Sequence, residues 1–402
     1  MKQGWEIKSI SDVCLSLDDG DWIEKKNQSA KGIRLIQTGN IGCGEYRDKS
    51  EKAKYISEET FRTLKCTEVV AGDILVSRLP DPVGRACIVP YLSTKCITAV
   101  DCSIVKLNPK IISAKWFIYY TLSAEYKTKV IAECSGTTRD RISRKKLSVI
   151  PLPIPPLAEQ ERIVEILDRE FERIDALKAN AEHNLQHAKD LLKQSQNTVF
   201  NSIETFPLDS MVTIINGYAF KSEDFSKTNP VKAVKITNVG VGVFIETIDT
   251  NLPQSLLLDK QDYTVHTGDI VFALTRTIIA AGLKVAIVPE SYNCALLNQR
   301  VAALRIDDDI QRKYLYNYFQ TASVKEYVLK KVNTLMQPNL SIKDLKAMPI
   351  PYCNRAEMEQ VVARLDKLKE NSQALEDNYK KTIALCDDMK QALLRKAFNG
   401  EL

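Results

Sequence analysis

Two long stretches of the chain, 159–201 and 357–399, repeat apolar residues at the spacing of a helix that packs along one stripe. In the first stretch these positions are Leu167, Ile174, Ala181 and Ala188, with Leu177 and Leu191 between them. In the second, the same register gives Leu365, Ser372, Tyr379, Cys386 and Leu393, with Leu368, Leu375 and Met389. A heptad pattern over about four repeats favours a coiled-coil seam, and the simplest partner of each helix is the other. At about 1.5 Å per residue, each helix would span roughly 60 Å.

The regions before these helices show short β-rich runs separated by glycine-containing turns. In the first half the runs are 33–36, 74–77, 86–89 and 103–107, which predicts a domain of mixed α/β structure. A helical stretch follows in each half, 114–133 and 311–332, and its aromatic residues favour a packed core over a base-stacking platform. Each domain ends in a proline-rich connector, 151–156 or 349–351, that cannot be helical because proline lacks an amide donor.

The chain repeats itself at a shift of about 198 positions. EQERIVEILDREFERIDAL at 159–177 aligns with EMEQVVARLDKLKENSQAL at 357–375, and Asn40 and Asp73 align with Asn238 and Asp269. A period of half the protein indicates a duplicated module. The predicted divisions are a domain at 1–150, a connector and helix at 151–203, a second domain at 204–348, and a second connector and helix at 349–402. By symmetry, a fragment of about 1–200 could pair with a second copy of itself.

Composition limits the classes of protein that fit. The chain has 44% hydrophobic residues, a net charge of +5 and a pI near 8.5, which suits a globular protein and is compatible with a nucleic-acid partner. It has no apolar run long enough to span a membrane and no apolar signal segment, so we expect a soluble, cytoplasmic protein. Its ten cysteines form no CxxC pair, and His183 and His187 are interpreted as a solvated helix face, so no metal site is predicted.

The motifs of several enzyme classes are missing from the sequence. It contains no GxxxxGK[ST] loop, no GxGxxG, no GxSxG elbow and no Asn/Asp-Pro-Pro-aromatic motif of an amino-methyltransferase. Pro80 and Asp81 could begin a nuclease motif, but no Glu/Asp-x-Lys follows within about 20 residues. We therefore expect a protein without catalytic activity of its own.

A basic cluster follows the first aromatic helical stretch. Within eight residues it contains Arg139, Arg141, Arg144, Lys145 and Lys146, next to Gly136. Such a cluster is either a solvated loop or a contact for phosphate, and the sequence leaves both interpretations open.

These features resemble the specificity subunits of type I restriction–modification systems. The resemblance rests on PLPIPPLAEQERIV at 151–164, NGYAFKS at 216–222, GDILVSR at 72–78 and MQPNLS at 336–341, and it covers essentially the whole chain. The second connector departs from the family pattern, because Tyr352, Cys353 and Asn354 replace its second proline and leucine and Met358 stands where glutamine is usual.

The resemblance implies an α+β fold with two tandem target-recognition domains, separated by two long helices packed as an antiparallel coiled coil. Each domain would read one half of a bipartite, asymmetric sequence in double-stranded DNA. The helices would set the spacing of the halves and dock two methyltransferase subunits, and restriction and translocation subunits would join them. S-adenosylmethionine, ATP and Mg²⁺ would act on those partners, so this chain would need no cofactor.

Candidate DNA-binding residues follow from the chemistry of base edges. Arginine pairs with guanine and Asn or Gln with adenine, while Lys, Ser and Thr hold phosphates. The first domain supplies Gln37, Asn40, Arg78, Arg85, Arg139, Arg141 and Arg144. The second supplies Lys235, Asn238, Thr275, Arg276, Asn298, Gln299, Arg300, Gln337 and Asn339. Ordinary turn capping is an equal alternative for Gln37, Asn40 and Asn238, which precede glycines.

Other functions stay open at the level of sequence. A related system with a fused methylase and nuclease uses the same kind of specificity chain. A coiled-coil scaffold whose domains bind proteins would show negligible affinity for DNA. An autonomous enzyme would have to bind S-adenosylmethionine or turn over substrate alone.

Overall fold

The computed structural model describes residues 2–136, 139–200, 204–247, 251–332 and 339–402, and they form two compact units. Unit 1 comprises Met1–Glu182 and Lys380–Leu402, and unit 2 comprises His183–Tyr379. Each unit therefore combines one predicted domain with a segment of each long helix.

The first half of the chain contains nine strands and five α-helices in the part that the structure describes. The strands are β1 (Glu6–Ser9), β2 (Cys14–Asp19), β3 (Ile33–Ile36), β4 (Lys54–Ile56), β5 (Ile74–Ser77), β6 (Ala86–Ile88), β7 (Cys96–Thr98), β8 (Cys102–Leu107) and β9 (Pro151–Ile154). The helices are α1 (Glu58–Thr63), α2 (Ala114–Leu122), α3 (Ala124–Ala132), α4 (Arg144–Ser148) and α5 (Leu157–Val199).

The second half repeats this order with additional short strands. The strands are β10 (Thr205–Pro207), β11 (Thr213–Asn216), β12 (Ala233–Val234), β13 (Thr264–Val265), β14 (Ile270–Ala273), β15 (Ile278–Ile279), β16 (Gly282–Leu283), β17 (Val285–Ile287), β18 (Ala295–Leu297), β19 (Val301–Arg305) and β20 (Pro349–Pro351). The helices are α6 (Gln254–Asp259), α7 (Asp309–Tyr318), α8 (Ala322–Lys331), α9 (Ile342–Lys346) and α10 (Arg355–Asn399).

Each unit contains a four-stranded sheet, which has the same topology in both, and a three-stranded sheet, which differs. A four-stranded antiparallel sheet has the order β2-β8-β5-β6 in unit 1 and β11-β19-β14-β17 in unit 2. A three-stranded mixed sheet has the order β4-β3-β7 in unit 1 and β12-β18-β13 in unit 2. The parallel pairs β3-β7 and β12-β18 are equivalent, but the third strand pairs with β3 in unit 1 and with β18, the counterpart of β7, in unit 2. Strands β5 and β14 are buried at every residue, which explains why they are apolar on both faces.

The proline-rich connectors are not helical, as predicted, and both contain a strand. β9 pairs antiparallel with β1, and β20 pairs antiparallel with β10. The aromatic residues of the preceding helices hold these strands: Tyr120 Oη donates to Pro151 O at 2.6 Å and Tyr318 Oη to Pro349 O at 2.9 Å. The prediction that these aromatics belong to the core is therefore confirmed for Tyr120 and Tyr318, which are buried.

The stretches predicted over 114–133 and 311–332 are helical, but neither is one continuous helix. Each stretch is divided into two helices, at Ser123 and at Thr321, where the backbone is extended. The Ser123 hydroxyl accepts a hydrogen bond from Tyr126 N and caps the second helix of unit 1. A serine cap competes with continuation of a helix, and the apolar pattern did not reveal it.

The two long helices pack antiparallel. In unit 1, Lys178 of α5 contacts Asp387 of α10 at 2.7 Å, and Asp175 contacts Lys390. In unit 2, Ser372 Oγ donates to Ala188 O at 3.4 Å. As the residue number rises along one helix, that of the partner falls.

Only one of the two predicted heptad positions is buried in the seam. Leu167, Ile174, Ala181 and Ala188 are buried on α5, and Leu365, Ser372 and Cys386 on α10. The second position stays open, because Leu177, Leu191, Leu375 and Met389 are 48%, 59%, 42% and 48% exposed. The helices therefore share a narrow seam and leave apolar side chains at the surface.

No helix among the described residues is long and apolar enough to cross a membrane. The ten cysteines are all free thiols. The His183 and His187 rings are 4.0 Å apart, and no group of three or more metal-binding side chains occurs in the described part of the chain.

Candidate nucleic-acid interface

Backbone hydrogen bonds define which residues are equivalent in the two domains. In unit 1, Arg78 N donates to Asp101 O and Ile142 N donates to Arg78 O. In unit 2, Leu274 N donates to Arg300 O and Leu340 N donates to Leu274 O. Asp101 therefore occupies the place of Arg300, and Arg141, just before Ile142, occupies the place of Asn339.

Each domain has an open cleft at this place. The first cleft, of about 650 Å³, is lined by Thr38, Leu79, Pro80, Asp81, Gly136, Arg139 and Asp140. The second cleft, of about 550 Å³, is lined by Ile236, Thr275, Arg276, Arg300 and Asn339. In both domains the walls come from the turn after an early strand (β3 or β12), from the segment after the central strand (β5 or β14) and from the loop before the last short helix (α4 or α9).

The second cleft brings together four of the predicted residues from three separate segments. Thr275 and Asn339 face each other as an antiparallel bridge, with Arg276 next in the chain. Arg276 has a positive φ of 49°, and both it and Arg300 are exposed. Neither arginine has an ion-pair partner among the described residues, so the cleft carries two uncompensated positive charges.

The basic cluster of the first domain is divided among different environments. Arg139 is exposed and lines the first cleft. Arg141 is paired with Asp101 at 2.9 Å, and Arg144 lies 3.5 Å from Asp19 and donates to Leu17 O at 3.2 Å. Carboxylates therefore partly neutralise this cluster, and only Arg139 faces the cleft without an ion pair in the described structure.

The buried arginines of the first domain stabilise its loops. Arg85 donates to four backbone carbonyls, those of Thr38, Ile41, Leu79 and Pro82, at 2.7–2.9 Å. It therefore ties the turn at 38–41 to the segment at 79–82. Since its guanidinium is buried and these bonds use every nitrogen, a structural role replaces the predicted base contact.

Arg78 is also buried, and it contacts Val100 O and, at 3.3 Å, Asp19. Its guanidinium therefore points into the domain, in contrast to the predicted base contact. Arg78 Nε has no hydrogen-bond partner in the described structure.

Asn40 and Asn238 occupy equivalent buried positions inside turns. The Asn40 amide donates to Arg47 O at 2.9 Å and accepts from Gln37 N at 3.0 Å. The Asn238 amide donates to Ile245 O at 2.8 Å and accepts from Lys235 N at 2.8 Å. Both side chains are engaged within the fold and do not reach the surface, so the structure favours turn capping over base reading for this pair.

The remaining predicted residues lie around these turns. Gln37 is half-buried, and Lys235 Nζ lies 5.1 Å from the centre of the Phe225 ring. Asn298 is half-buried beside Tyr218, whereas Gln299 is exposed next to Arg300. Gln337 lies outside the described residues.

Sequence reasoning missed the acidic residues and Lys284. Asp19, Asp81, Asp101 and Asp140 lie at or beside the first cleft, and only the alignment of Asp101 with Arg300 could have identified one of them. Lys284 is the counterpart of Arg85, because Ser77 N donates to Arg85 O and Ala273 N donates to Lys284 O. Its Nζ donates to Ile236 O at 2.7 Å, and burial together with nearby Arg276 lowers its pKa.

Comparison with known proteins agrees with this duplicated architecture. A family profile described as "Type I restriction modification DNA specificity domain" matches residues 2–186 and 201–385. The specificity subunit of the EcoKI type I restriction enzyme from Escherichia coli K12 is 22% identical over 100% of this chain and 90% of its own. That of MjaVIII from Methanocaldococcus jannaschii is 27% identical over 63% of each chain.

Two solved structures share the fold. A chain from a study of complex assembly and conformational transition in a type I restriction–modification system has a TM-score of 0.76 and 18% identity, covering 100% of this chain and 99% of its own. The HsdS subunit from Thermoanaerobacter tengcongensis has a TM-score of 0.63 and 19% identity, covering 100% and 98%. Since the profile matches both halves, the chain belongs to the DNA specificity subunits of type I restriction–modification systems.

Proposed function

We propose that each domain reads one half of a bipartite, asymmetric DNA target through its cleft. The observation that carries the proposal is the second cleft, where Thr275, Arg276, Arg300 and Asn339 converge from three segments and two arginines have no carboxylate partner among the described residues. An exposed, unpaired guanidinium is free to donate two hydrogen bonds to the N7 and O6 of guanine, and an amide pairs similarly with adenine.

The first cleft has a different chemistry. Arg139 is its unpaired cation, and Asp81 and Asp140 supply carboxylates. A carboxylate accepts from the N4 amino group of cytosine and repels phosphate, so the two clefts favour different bases. This difference supports the asymmetry of the proposed target.

The exposed apolar residues of the helices support two equivalent docking sites for methyltransferase subunits. Leu177 and Met389 lie in unit 1, and their repeat counterparts Leu375 and Leu191 lie in unit 2. The exposed apolar side chains recur at repeat-equivalent positions of the two helices, which supports one contact site of the same kind in each unit. Restriction and translocation subunits would join this assembly.

The chemistry of the complex would lie on those partners. Methyl transfer from S-adenosylmethionine and ATP hydrolysis with Mg²⁺ need binding motifs that this sequence lacks, so the chain itself acts by recognition and positioning. Its groups near DNA are hydrogen-bond donors and charges, which select a sequence without making or breaking a covalent bond.

Mapping methylated adenines tests the reading of DNA. The chain would be expressed with its methyltransferase partner, and Arg300→Ala should relax one position of one half-site while the other half-site is unchanged. Lys330→Ala, on α8 and away from the cleft lining, is the matched loss of charge and should leave the motif intact. A motif that is identical in both variants would refute the role of the second cleft.

Insertion of residues tests the spacer role of the helices. Four residues inserted after Ala188 and after Cys386 lengthen the pair by about 6 Å and rotate it by some 40°. Because base pairs lie about 3.4 Å apart, the unspecified gap in the target should grow by one or two base pairs. Methylation at the original spacing with full activity would mean that another part of the complex sets the distance.

A further inference from the structure

The two long helices carry opposite charges where they meet in unit 1. Lys178 Nζ donates to both carboxylate oxygens of Asp387, at 2.7 and 2.9 Å, and Lys390 donates to Asp175. The lysine side chains are 28% and 21% exposed, whereas the aspartates are 60% and 59% exposed. These ion pairs therefore lie at the rim of the seam. Solvent weakens them there, but opposite charges still attract and like charges still repel.

The internal repeat assigns a counterpart of opposite charge to each partner of the first ion pair. At the 198-residue shift, Lys178 aligns with Glu376 and Asp387 aligns with Lys189. α5 thus carries a lysine at both places, and α10 carries a carboxylate at both.

The seam has the same register in both units. In unit 1, Lys178 lies four positions after the buried seam residue Ile174, and its partner Asp387 lies one position after the buried seam residue Cys386. In unit 2 the buried counterparts are Ser372 and Ala188, which are hydrogen-bonded to each other. Glu376 and Lys189 have the same offsets from them, so the arrangement is repeated with the charges exchanged between the helices.

Pairing of either helix with a copy of itself would bring like charges together. In a symmetric pair of α5 helices, Lys178 of each copy would occupy the place opposite Lys189 of the other. In a symmetric pair of α10 helices, Glu376 would be opposite Asp387, again twice. The Asp175–Lys390 ion pair would also be lost, because the counterparts of these residues are Gln373 and Leu192.

We propose that the charges at 178, 189, 376 and 387 form a pairing code, by which α5 and α10 bind each other in preference to a second copy of themselves. The buried seam residues carry no charge that could select a partner, because Ile174, Ala188 and Cys386 are apolar and Ser372 donates its hydroxyl to Ala188 O. The repeat implies that a fragment of about 1–200 could pair with a second copy of itself, and the pairing code makes this self-pair weaker than the pair of α5 with α10.

The expected preference follows from the size of exposed ion pairs. Each contributes about a two- to five-fold change in an association constant, and like charges oppose association to a similar extent. Since self-pairing exchanges two attractions for two repulsions, the four factors multiply, and we expect the mixed pair to be favoured by roughly 16- to 600-fold at low salt. The preference should fall as ionic strength rises.

The intact folded chain allows a direct test. A protease site inserted between Phe200 and Glu204 is cleaved after folding, which leaves two halves held by the helices. After incubation near the urea midpoint and dilution, with labelled halves added to report exchange, native mass spectrometry counts mixed pairs and self-pairs. The wild-type halves should return to mixed pairs almost exclusively.

Charge exchange should abolish that selectivity. Lys178→Glu combined with Asp387→Lys keeps the mixed pair complementary, yet it also lets each helix pair favourably with its own copy, because the introduced charges face Lys189 or Glu376. The proportion of self-pairs should then approach the value expected if the halves pair at random. Lys367→Glu, the same charge change at an exposed position of α10, should leave the wild-type distribution unchanged.

The uncleaved chain provides a second measurement that does not require exchange of the halves. Lys178→Glu alone should lower the urea midpoint, and adding Asp387→Lys should restore it. A statistical mixture from the wild-type halves at low salt, or single and double variants that show no coupling in the intact chain, would overturn the pairing code.

Discussion

The first and second clefts occupy equivalent places in domains whose four-stranded sheets have the same topology, yet the positive charges at the two clefts have different partners. In the first, Arg141 is bound to Asp101, and Arg144 lies beside Asp19. In the second, Arg300 takes the place of Asp101, Asn339 takes that of Arg141, and none of the described residues that line the cleft carries a carboxylate. The two sites therefore offer one shared framework with two different sets of donors and acceptors.

The residues that are the same in both halves are those that hold the framework. Asn40 and Asn238 close equivalent turns, and Asp73 and Asp269 accept equivalent backbone hydrogen bonds, from Val70 N and His266 N, at 2.9 and 2.8 Å. The residues that the fold requires therefore occur in both halves, whereas the residues that line the two clefts differ.

The largest expected effect concerns the framework itself. Arg85→Met should leave four carbonyls without their donor and lower the free energy of unfolding by about 2–4 kcal/mol, whereas Lys284→Met should cost about 1 kcal/mol because Lys284 serves one carbonyl. Urea unfolding of the full chain measures both, and Arg85→Lys should recover part of the loss. Equal costs for the two methionine variants would contradict the comparison.

A smaller effect is expected from the arginines of the first domain. Arg139→Ala should weaken DNA binding more than Arg141→Ala or Arg144→Ala, because carboxylates already hold the latter two. Replacing an arginine that reads a base should cost about 1–3 kcal/mol of binding free energy and relax one position of the DNA target. Replacing an arginine that contacts a phosphate should weaken binding to all sequences and reduce the salt slope of binding by about one. Unchanged affinity for DNA in all three variants would mean that the basic cluster is a solvated loop and does not contact DNA.

Removing the carboxylate of Asp101 should strengthen the binding of DNA, in contrast to the removal of an arginine. Asp101→Asn releases Arg141 and makes the first domain resemble the second, so binding to unrelated DNA should rise about three-fold, and its salt slope should steepen by about one. Titration with a non-target duplex at several salt concentrations measures this. Asp262→Asn, which removes a carboxylate elsewhere in unit 2, is the control and should have no such effect.

The smallest effect is on stability in acid. Glu159 is hydrogen-bonded to Arg162 and Lys2, which lowers its pKa from 4.5 to about 2. A depressed carboxylate pKa stabilises the fold above pH 4.5, and this contribution is lost as the pH falls from 4.5 towards 2. Between pH 4.5 and about 2, the free energy of unfolding should therefore fall less in the Glu159→Gln variant than in the wild-type chain.

Its repeat counterpart provides the matched control. Glu357 instead accepts from Asn354 N at 2.8 Å and completes the cap at the start of α10. Glutamine can also complete such a cap, so Glu357→Gln should lower the free energy of unfolding at neutral pH by less than Glu159→Gln, which loses the ion pairs with Arg162 and Lys2. An identical response in the two variants would show that neither ion pair of Glu159 contributes.

The sequence by itself determined the duplication, the two long helices, the extended connectors and the buried aromatics. These follow from periodicity and from the chemistry of proline, which are local properties. Family membership was also evident from motifs such as PLPIPPLAEQERIV at 151–164.

The tertiary structure alone decided which polar residues are available to a ligand. Asn40 and Arg85 have the same residue types as Asn339 and Arg300, yet the first two bond to carbonyls inside the domain and the others line or face a cleft. Residue type fixes what a side chain can donate, but burial and the nearest partner fix whether that donor is free, and both depend on segments far apart in the chain. The pairing of Arg141 with Asp101, 40 positions away in the sequence, is such a case.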